Sequence, residues 1–402
     1  MKRPDWRGIV AVIAAVVSVL VLANVIHDQW IGFWGGETPY YFFDTDFYRK
    51  AVVAVMTGTK TMFEAMAYPP FAYLWLWWLP SVPMVTGDQI WTVLTYLVVV
   101  VVSVVLNARG LEAIGKDWRT RPALLVAGSA ASSALLIISM PMQSQITCGQ
   151  MSLLVIALPF LDMARVLPRK FEGIFVGLAA AIKVTPAIFG VYYLVTKQWR
   201  QAINSLASFV FFTGVGALFF PGQTLEYWTK FNSSGQEVDP LLPYNWGIRS
   251  MIARISLEWS SQSWTWAGLG VLVLAVTLWR ARKLYLRGQG MEAMFIVAAV
   301  SVVVPPNSLP HYYTWMPMLA IWMAYTGTWV GRTMAVGIYV LYSTWYPSNV
   351  LAALTGTWSG FALAVAMYAL VPILMGVFGL PQRRTRPAAV TDDHMEVAAV
   401  AV

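Results

Sequence analysis

The chain has 402 residues, of which 58% are hydrophobic and only 11% charged, and its formal net charge is +8. Soluble globular proteins carry about 25% charged residues, so this composition, with a mean hydropathy of +0.61, excludes a soluble globular domain. The single cysteine, Cys148, excludes a disulfide framework and any CxxC metal or redox motif. We therefore predict an all-α polytopic membrane protein.

The first membrane span is predicted over residues 8–27, which are too long for a signal-peptide core and lack a small-residue cleavage site. A bilayer core needs about 20 apolar residues per helix. Counting 173–196 as two short helices, we predict about twelve spans. The others are 88–108, 121–140, 150–166, 201–220, 263–280, 292–305, 312–329, 333–347 and 359–379.

Two aspartates among aromatic residues distinguish the loop 28–70 that follows the first span. Asp44 and Asp46 share a face if this segment is extended and diverge if it is helical. Asp46 also fits the N-cap of a helix beginning at Phe47. No capping role is evident for Asp44, which we therefore favour as a functional carboxylate.

The segment 69–84 is apolar but bracketed by prolines, and its assignment decides the topology. If it is an interfacial or re-entrant helix, 20 of the 27 Lys and Arg fall on one side, which the positive-inside rule makes cytoplasmic. Both termini are then cytoplasmic, and the net charge reflects topology and requires no nucleic acid. Residues 1–380 form one transmembrane domain with a long external loop, 221–262, and we predict a disordered cytoplasmic tail, 381–402.

Polar residues collect on the predicted external side. Gln145, Gly149 and Gln150 lie at the start of a span, where amides beside a flexible glycine suit recognition of hydroxyl groups. Tyr68, in Tyr-Pro-Pro-Phe, precedes an apolar helix and fits either a structural turn or a lipid groove.

Lys183 interrupts an apolar segment, directly before Val184, Thr185 and Pro186. Proline breaks a helix, and a lysine at the centre of a membrane costs a few kcal/mol. The position favours a cation aimed at an anionic group such as a phosphate, with snorkelling to an interface as the alternative.

Three more polar residues belong to the predicted external face. His311 follows a proline-rich turn and either donates to a phosphate, positions a base or is a simple interfacial histidine. Arg249, four residues after Asn245, fits a lipid phosphate, a headgroup contact or a pair with Glu258.

In this order, these motifs resemble glycosyltransferase family 87, within the GT-C superfamily of membrane glycosyltransferases. The matching segments are Phe43-Asp44-x-x-x-Tyr48, Tyr68-Pro69-Pro70-Phe71, Gly149-Gln150, Gly177 to Pro186, Asn245-x-x-x-Arg249 and the approach to His311. The chain departs from the family pattern in His311-Tyr312, where paired histidines are common, and in Pro305-Pro306, where a serine is common.

The resemblance implies a GT-C fold with external juxtamembrane helices, in a bacterial plasma membrane with the active site outside. The donor would be a polyprenyl-phosphate sugar, most simply mannose, and the acceptor a glycolipid such as a phosphatidylinositol mannoside. Asp44 would be the general base of an inverting transfer, and Lys183, His311 and Arg249 would bind the donor phosphate. The residues expected to contact substrate are Asp46, Tyr48, Tyr68, Gln150 and Asn245.

No metal or other cofactor is implied by the sequence, since no metal-ligand spacing such as an HExxH motif occurs. Other functions fit the same features. A lipid flippase or transporter predicts polar residues spread through several spans to the cytoplasmic side, whereas here they gather on one face. An arabinofuranosyl donor and a non-catalytic lipid-binding partner are the remaining alternatives.

Overall fold

Helices form the regular structure of residues 6–34, 42–66, 68–230, 239–242, 244–255, 259–343 and 358–381, the ranges that the computed structural model describes. The α-helices are α1 (Trp6–Trp34), α2 (Phe43–Met56), α3 (Met62–Ala65), α4 (Pro70–Leu76), α5 (Met84–Ala113), α6 (Pro122–Ile138), α7 (Met140–Cys148), α8 (Ser152–Met163), α9 (Ile174–Ile182), α10 (Ala187–Val195), α11 (Trp199–Phe219), α12 (Pro221–Lys230), α13 (Ile248–Ile255), α14 (Trp259–Leu286), α15 (Gly290–Ser301), α16 (Trp315–Thr326), α17 (Trp329–Ser343) and α18 (Trp358–Phe378). Short 3-10 turns are Leu79–Ser81, Arg169–Phe171 and Pro310–Thr314. No β-strand occurs in these ranges, which confirms the all-α prediction.

The described helices support a membrane protein but do not confirm the predicted number of spans. Within the described residues, four helices (α1, α5, α11 and α14) are long and apolar enough to cross a bilayer, and α6 with α7 makes five if that bent pair is one span. The count of about twelve is therefore not confirmed, because helices such as α8 and α15 have only 12 residues. At 1.5 Å per residue they fall short of a hydrocarbon core of about 30 Å.

The predicted break around Lys183 is confirmed. α9 ends at Ile182 and α10 begins at Ala187, and Lys183 has an extended backbone. α9 is held firmly by its neighbours: the Asp162 carboxylate accepts hydrogen bonds from the backbone N–H groups of Gly173 and Val176 at 2.6 and 3.1 Å. A Cβ at Gly177 would overlap the Ser205 carbonyl oxygen, so glycine is what allows α9 to pack directly on α11.

Residues 69–84 do not form a spanning helix, in agreement with the interfacial or re-entrant prediction. α4 has seven residues and begins with Pro70, whose missing N–H costs nothing at the first helical position. The 3-10 turn Leu79–Ser81 and Pro83 then lead into α5.

The connection between the predicted spans 121–140 and 150–166 is helical, where a loop was expected. Residues 140–148 form α7, bent by 69° from α6 at the extended residue Ser139. Pro141 follows at the second position of α7, where its missing N–H is tolerated. The bend directs α7 across the 3-10 turn Pro310–Thr314 and α2.

The main core surrounds α15 and α16. Residues Ala293 to Val300 are each 0% exposed, and most of α16 is equally enclosed. A helix that is apolar on all sides needs protein around it, which explains how helices too short to span are accommodated. A second cluster, containing Tyr48, Tyr73 and Leu76, joins α2–α4 to α8 and α9.

Parts of the predicted loops and the tail lie outside the described residues. These parts are 35–41 and 67 in the first loop, 231–238, 243 and 256–258 in the loop 221–262, the segment 344–357, and the tail beyond Pro381.

Candidate active site

Asp44 lies in the first turn of α2, where the positive end of the helix dipole favours a carboxylate. Burial raises the pKa of Asp44 to about 6. A hydrogen bond from the Gln150 side chain and the positive charge of Lys183 act in the opposite direction. The structure thus brings together three of the predicted site residues.

The orientation of Gln150 is set by two hydroxyl groups. Its Oε1 accepts hydrogen bonds from the Tyr48 hydroxyl at 2.9 Å and from Ser152 Oγ at 3.4 Å. The amide nitrogen is therefore the end that donates to Asp44. Tyr48 follows Asp44 by four residues on the same helix face and is only 1% exposed, so it supports Gln150 from within the core.

Gly149 allows α2 to approach this amide closely. It ends α7 with φ +67°, and a Cβ there would lie 2.6 Å from Thr45 Cγ2. Glycine is required on both counts, because L residues are strained at positive φ and the neighbour is already in contact.

We expect Gly149→Ala to separate Asp44 from Gln150 and to lower, at least tenfold, the sugar-transfer activity that the family resemblance implies. The matched control is Gly58→Ala, since Gly58 has φ +70° but no atom within 4 Å of the place that the alanine methyl group would occupy. That control carries only the cost of the left-handed backbone, roughly 1–2 kcal/mol. Thermal unfolding and transfer rates of both variants in detergent provide the measurement, and equal effects would contradict a special role for the contact with Thr45.

Asp46 occupies a different environment from Asp44. The prediction that Asp46 caps a helix starting at Phe47 was wrong, because α2 begins at Phe43 and Asp46 lies inside its first turn. Two residues on a helix differ by about 200° around the axis, so the aspartates point apart. Asp46 pairs with Lys50 on the exposed side.

Lys183 presents its ammonium group to two aromatic rings. Its Nζ lies 4.0 Å from the centroid of the Tyr312 ring and 5.4 Å from that of Tyr68. The Nζ is buried and has no hydrogen-bond acceptor among the described residues. Cation–π contacts stabilise the charge without neutralising it, so the lysine remains able to bind an anion.

His311 lies next to this lysine, close enough for the Lys183 charge to act on it. The imidazole is 3% exposed, and its Nδ1 is 3.5 Å from Ser144 Oγ on α7. Its Nε2 is buried with no hydrogen-bond partner in the described part of the chain. This nitrogen is therefore available for a ligand.

Asn245 and Arg249 are both buried, at 0% and 6% exposure. Asn245 Oδ1 accepts the backbone N–H of Ser308 at 3.0 Å, which fastens the proline-rich segment leading to His311. The described contacts thus give Asn245 a structural role close to the site. Arg249 lies on α13, and its predicted contact with the donor phosphate stays a prediction.

A pocket that is partly open to solvent lies beside Lys183. Its polar lining includes Lys183, Ser152 and Tyr312, and Ser152 connects it through Gln150 to Asp44. The rest of the lining is mainly apolar: Val155, Ile156, Pro186, Phe189, Val302, Pro305 and Trp315. A pocket that combines one lysine with a mainly apolar lining suits a ligand with an anionic head and a hydrocarbon tail.

Sequence reasoning missed several residues of this site. Tyr312 was passed over although it follows His311 directly, and Ser144 and Ser152 flank the predicted amide cluster. Asp88, which accepts a hydrogen bond from Thr45, was also missed. Its signal was an acidic residue at the start of an apolar run, a feature that is uncommon in membrane helices.

The family model for Glycosyltransferase family 87 matches residues 66–306 of the chain. The chain belongs to glycosyltransferase family 87. The match covers α4 to α15, including Lys183, Gln150 and most of the pocket lining, while Asp44 on α2 precedes it.

Curated relatives extend the similarity over most of the chain. A polyprenol-phosphate-mannose-dependent alpha-(1-2)-phosphatidylinositol mannoside mannosyltransferase of Mycobacterium tuberculosis is 28% identical over 79% of this chain and 78% of its own length. Its namesake in Mycolicibacterium smegmatis is 27% identical over 87% of this chain and 85% of its own length. A phosphatidylinositol pentamannoside mannosyltransferase of the same species is 28% identical over 64% of this chain and 60% of its own length. No solved structure matches significantly.

Family membership and the apolar helices make this chain a membrane glycosyltransferase. Among the described residues, no three His, Cys, Asp or Glu side chains lie close enough to share a metal ion.

Proposed function

We propose that the chain transfers mannose from polyprenyl-phosphate-mannose to a phosphatidylinositol mannoside or related glycolipid. The observation that carries the proposal is the position of Lys183, a buried ammonium without a hydrogen-bond acceptor among the described residues, in the lining of a mainly apolar pocket. The phosphate of a lipid-linked sugar supplies the missing acceptor, and its isoprenoid chain matches the apolar lining. The names of the curated relatives support mannose as the sugar.

Asp44 is the proposed general base. It removes the proton from the acceptor hydroxyl while that oxygen attacks the anomeric carbon of the donor sugar. The bond between the anomeric carbon and the phosphate oxygen breaks in the same step, and polyprenyl phosphate leaves. This single displacement inverts the anomer, so a beta-linked donor gives an alpha linkage.

The leaving phosphate gains negative charge during this step and needs electrostatic stabilisation. Lys183 is the primary candidate because its ammonium is already charged and unpaired in the described structure. His311 offers the buried Nε2 beside it, and Arg249 remains a third proposed ligand. No general acid is required, since the departing group is an anionic phosphate ester.

We propose that one group of residues contacts the acceptor and that a second group holds the site residues in position. We propose that Tyr68, beside Lys183, contacts sugar hydroxyls. Asp46 remains a proposed acceptor contact, although its carboxylate pairs with Lys50 on the exposed side of α2. Tyr48, Gln150 and Asn245 act mainly by holding Asp44 and the proline-rich segment in place. The lipid-linked sugar is the co-substrate, and we propose no metal ion or other cofactor.

The finer architecture is proposed along with the reaction. Residues 1–380 form one GT-C transmembrane domain of about twelve helices in a bacterial plasma membrane, with both termini cytoplasmic. The active site then faces the outside, where α2–α4 form juxtamembrane helices. The clustering of basic residues on the opposite side supports this orientation.

The reaction should depend on pH through Asp44. Its carboxyl must be ionised to accept a proton, and burial raises the pKa of Asp44 to about 6. We expect kcat/KM to be constant above about pH 7 and to fall roughly tenfold per pH unit below pH 6. Initial rates between about pH 4.5 and 8.5 provide the measurement, and a profile flat down to about pH 5 would argue against Asp44 as the base.

The deciding experiment is transfer by purified protein in nanodiscs containing phosphatidylinositol mannosides. Polyprenyl phosphate carrying radiolabelled mannose is compared with donors carrying glucose and arabinofuranose. Labelled glycolipid from the mannose donor alone supports the proposal. Transfer from the arabinofuranose donor alone would show that the proposed donor sugar is wrong. If folded protein transferred sugar from none of the donors, the proposed reaction would be wrong.

A further inference from the structure

Asp88 is a buried carboxylate that the proposed mechanism does not use. It lies near the start of α5 and is 1% exposed. Its Oδ1 accepts a hydrogen bond from Thr45 Oγ1 at 2.7 Å, whereas its Oδ2 is buried without a donor among the described residues. A buried charge is costly unless neighbouring groups compensate it, so the groups around the Asp88 carboxylate indicate why it is buried there.

Thr45 connects Asp88 to the candidate base. It is 0% exposed and adjacent to Asp44 in the chain. Its hydroxyl lies 2.9 Å from the Phe42 carbonyl oxygen and 2.7 Å from Asp88, and an ionised carboxylate is the stronger acceptor. Its methyl group faces Gly149, which allows no larger residue at that contact.

Arg49 holds the next turn of the same helix. It follows Thr45 by four residues, and its Nη1 donates to the backbone carbonyls of Leu79 and of Val82, the latter at 2.7 Å. Its Nε and Nη2 are buried without acceptors in the described chain, and its positive charge acts on Asp88. Gly87 leaves room for this guanidinium, since a Cβ there would lie 2.8 Å from Nη2.

We propose that Asp88 is a positioning residue for Asp44. Thr45 binds Asp88 near the start of α5, and Arg49, one turn later on α2, binds the carbonyls of Leu79 and Val82 just before α5. The bond between Thr45 and Asp88 fixes the position of the adjacent Asp44. Asp44 is thereby kept against Gln150 and within reach of Lys183. The inference rests on the proposed role of Asp44 as general base.

The first test is kinetic and uses the full-length protein in nanodiscs. We expect Asp88→Ala and Thr45→Val to lower kcat about 10–100-fold, because a displacement near 1 Å costs that much in a positioned reaction. KM for the donor should not change, since Lys183 is untouched. The double variant should be no slower than either single variant, because both break one connection.

Conservative variants and controls separate positioning from loss of fold. Asp88→Asn keeps the acceptor oxygen and Thr45→Ser keeps the hydroxyl, so both should retain most of the activity. Thr57→Val, on the exposed end of α2, and Asp117→Ala, in an exposed loop, should behave as wild type. Additive losses in the double variant, or losses of equal size in Thr45→Ser, would overturn the proposal.

A second readout does not depend on catalysis. Cys148, the single cysteine, precedes Gly149 and lies within electrostatic reach of Asp44. Displacement of α2 should therefore expose its thiol, and maleimide labelling should be several-fold faster in Asp88→Ala and Thr45→Val than in the two controls.

The two readouts also distinguish this proposal from the proposed function. Wild-type kcat in Asp88→Ala and Thr45→Val, with Asp44→Asn inactive, would overturn the positioning role and leave the reaction intact. If wild-type protein transfers no sugar at all, the labelling rates of Cys148 decide. Faster labelling in Asp88→Ala and Thr45→Val than in the controls supports the proposal that Asp88 fixes the position of α2, and equal labelling overturns it.

Discussion

Asp44→Asn should reduce transfer about 10²–10⁴-fold, the range that general bases contribute. Asparagine has nearly the shape of aspartate, but its amide cannot take up the proton of the acceptor hydroxyl. Gln150 can still donate to the new amide oxygen, so the helix should stay in place. The measurement is the single-turnover rate with saturating donor and acceptor, together with donor binding by equilibrium titration.

The matched control is Asp46→Asn, which removes a carboxylate two residues away. Asp46 points to the other side of α2 and pairs with Lys50, so this variant should lose less than tenfold, mainly through acceptor KM. If Asp46→Asn were inactive and Asp44→Asn active, Asp46 and not Asp44 would be the general base. Unchanged donor binding in Asp44→Asn would show that the loss lies in the chemical step.

Lys183→Met is expected to have the second large effect, a loss of about 10²–10³-fold in kcat/KM, comparable to removing one donor that stabilises a developing anion. Methionine retains the apolar stem of lysine and fills the space between Tyr68 and Tyr312, but carries no charge. Because the phosphate is anionic both before and during departure, donor affinity and kcat should both decrease. Steady-state kinetics with varied polyprenyl-phosphate-mannose would separate the two contributions.

Two further variants sharpen that test. Lys183→Arg keeps the charge on a larger, planar group and should recover part of the activity. Lys60→Met removes an exposed lysine after α2 and should leave the kinetics unchanged. If Lys183→Met bound the donor as tightly as wild type, the assignment of the pocket to the donor phosphate would be wrong.

The break at Lys183 was the feature most directly predictable from sequence. Pro186 forbids a continuous helix, and the structure has two nine-residue helices on either side of the lysine. The non-spanning segment after Pro69 was predictable for the same reason, because prolines limit α4 to seven residues. Local backbone chemistry was sufficient in both cases.

The local conformation around Asp44 was not predictable in the same way. A spacing of two residues places carboxylates on one face of an extended chain, and no capping side chain marks the start of α2. Helix formation here depends on tertiary contacts, including the close packing of Thr45 on Gly149. Such contacts join segments that are far apart in the chain, which no periodicity in a single sequence records.

The contacts of Lys183 and Asp88 were hidden for a related reason. Tyr312 meets Lys183 only after α9 and the 3-10 turn Pro310–Thr314 have come together. Asp88 was included in a predicted span as a boundary residue, although its carboxylate faces Thr45 on another helix. Which residues on different helices share a site can be known only once the fold is known.

α9 acts as a spacer of fixed length between Asp162 and Lys183. Asp162 holds its first turn, and the contact of Gly177 with the Ser205 carbonyl prevents it from sliding along α11. One residue more or less in this helix would turn the lysine by about 100° and move it by about 1.5 Å. The position of the Lys183 charge is therefore set by the contacts of α9 with Asp162 and Ser205, which lie at a distance from the lysine itself.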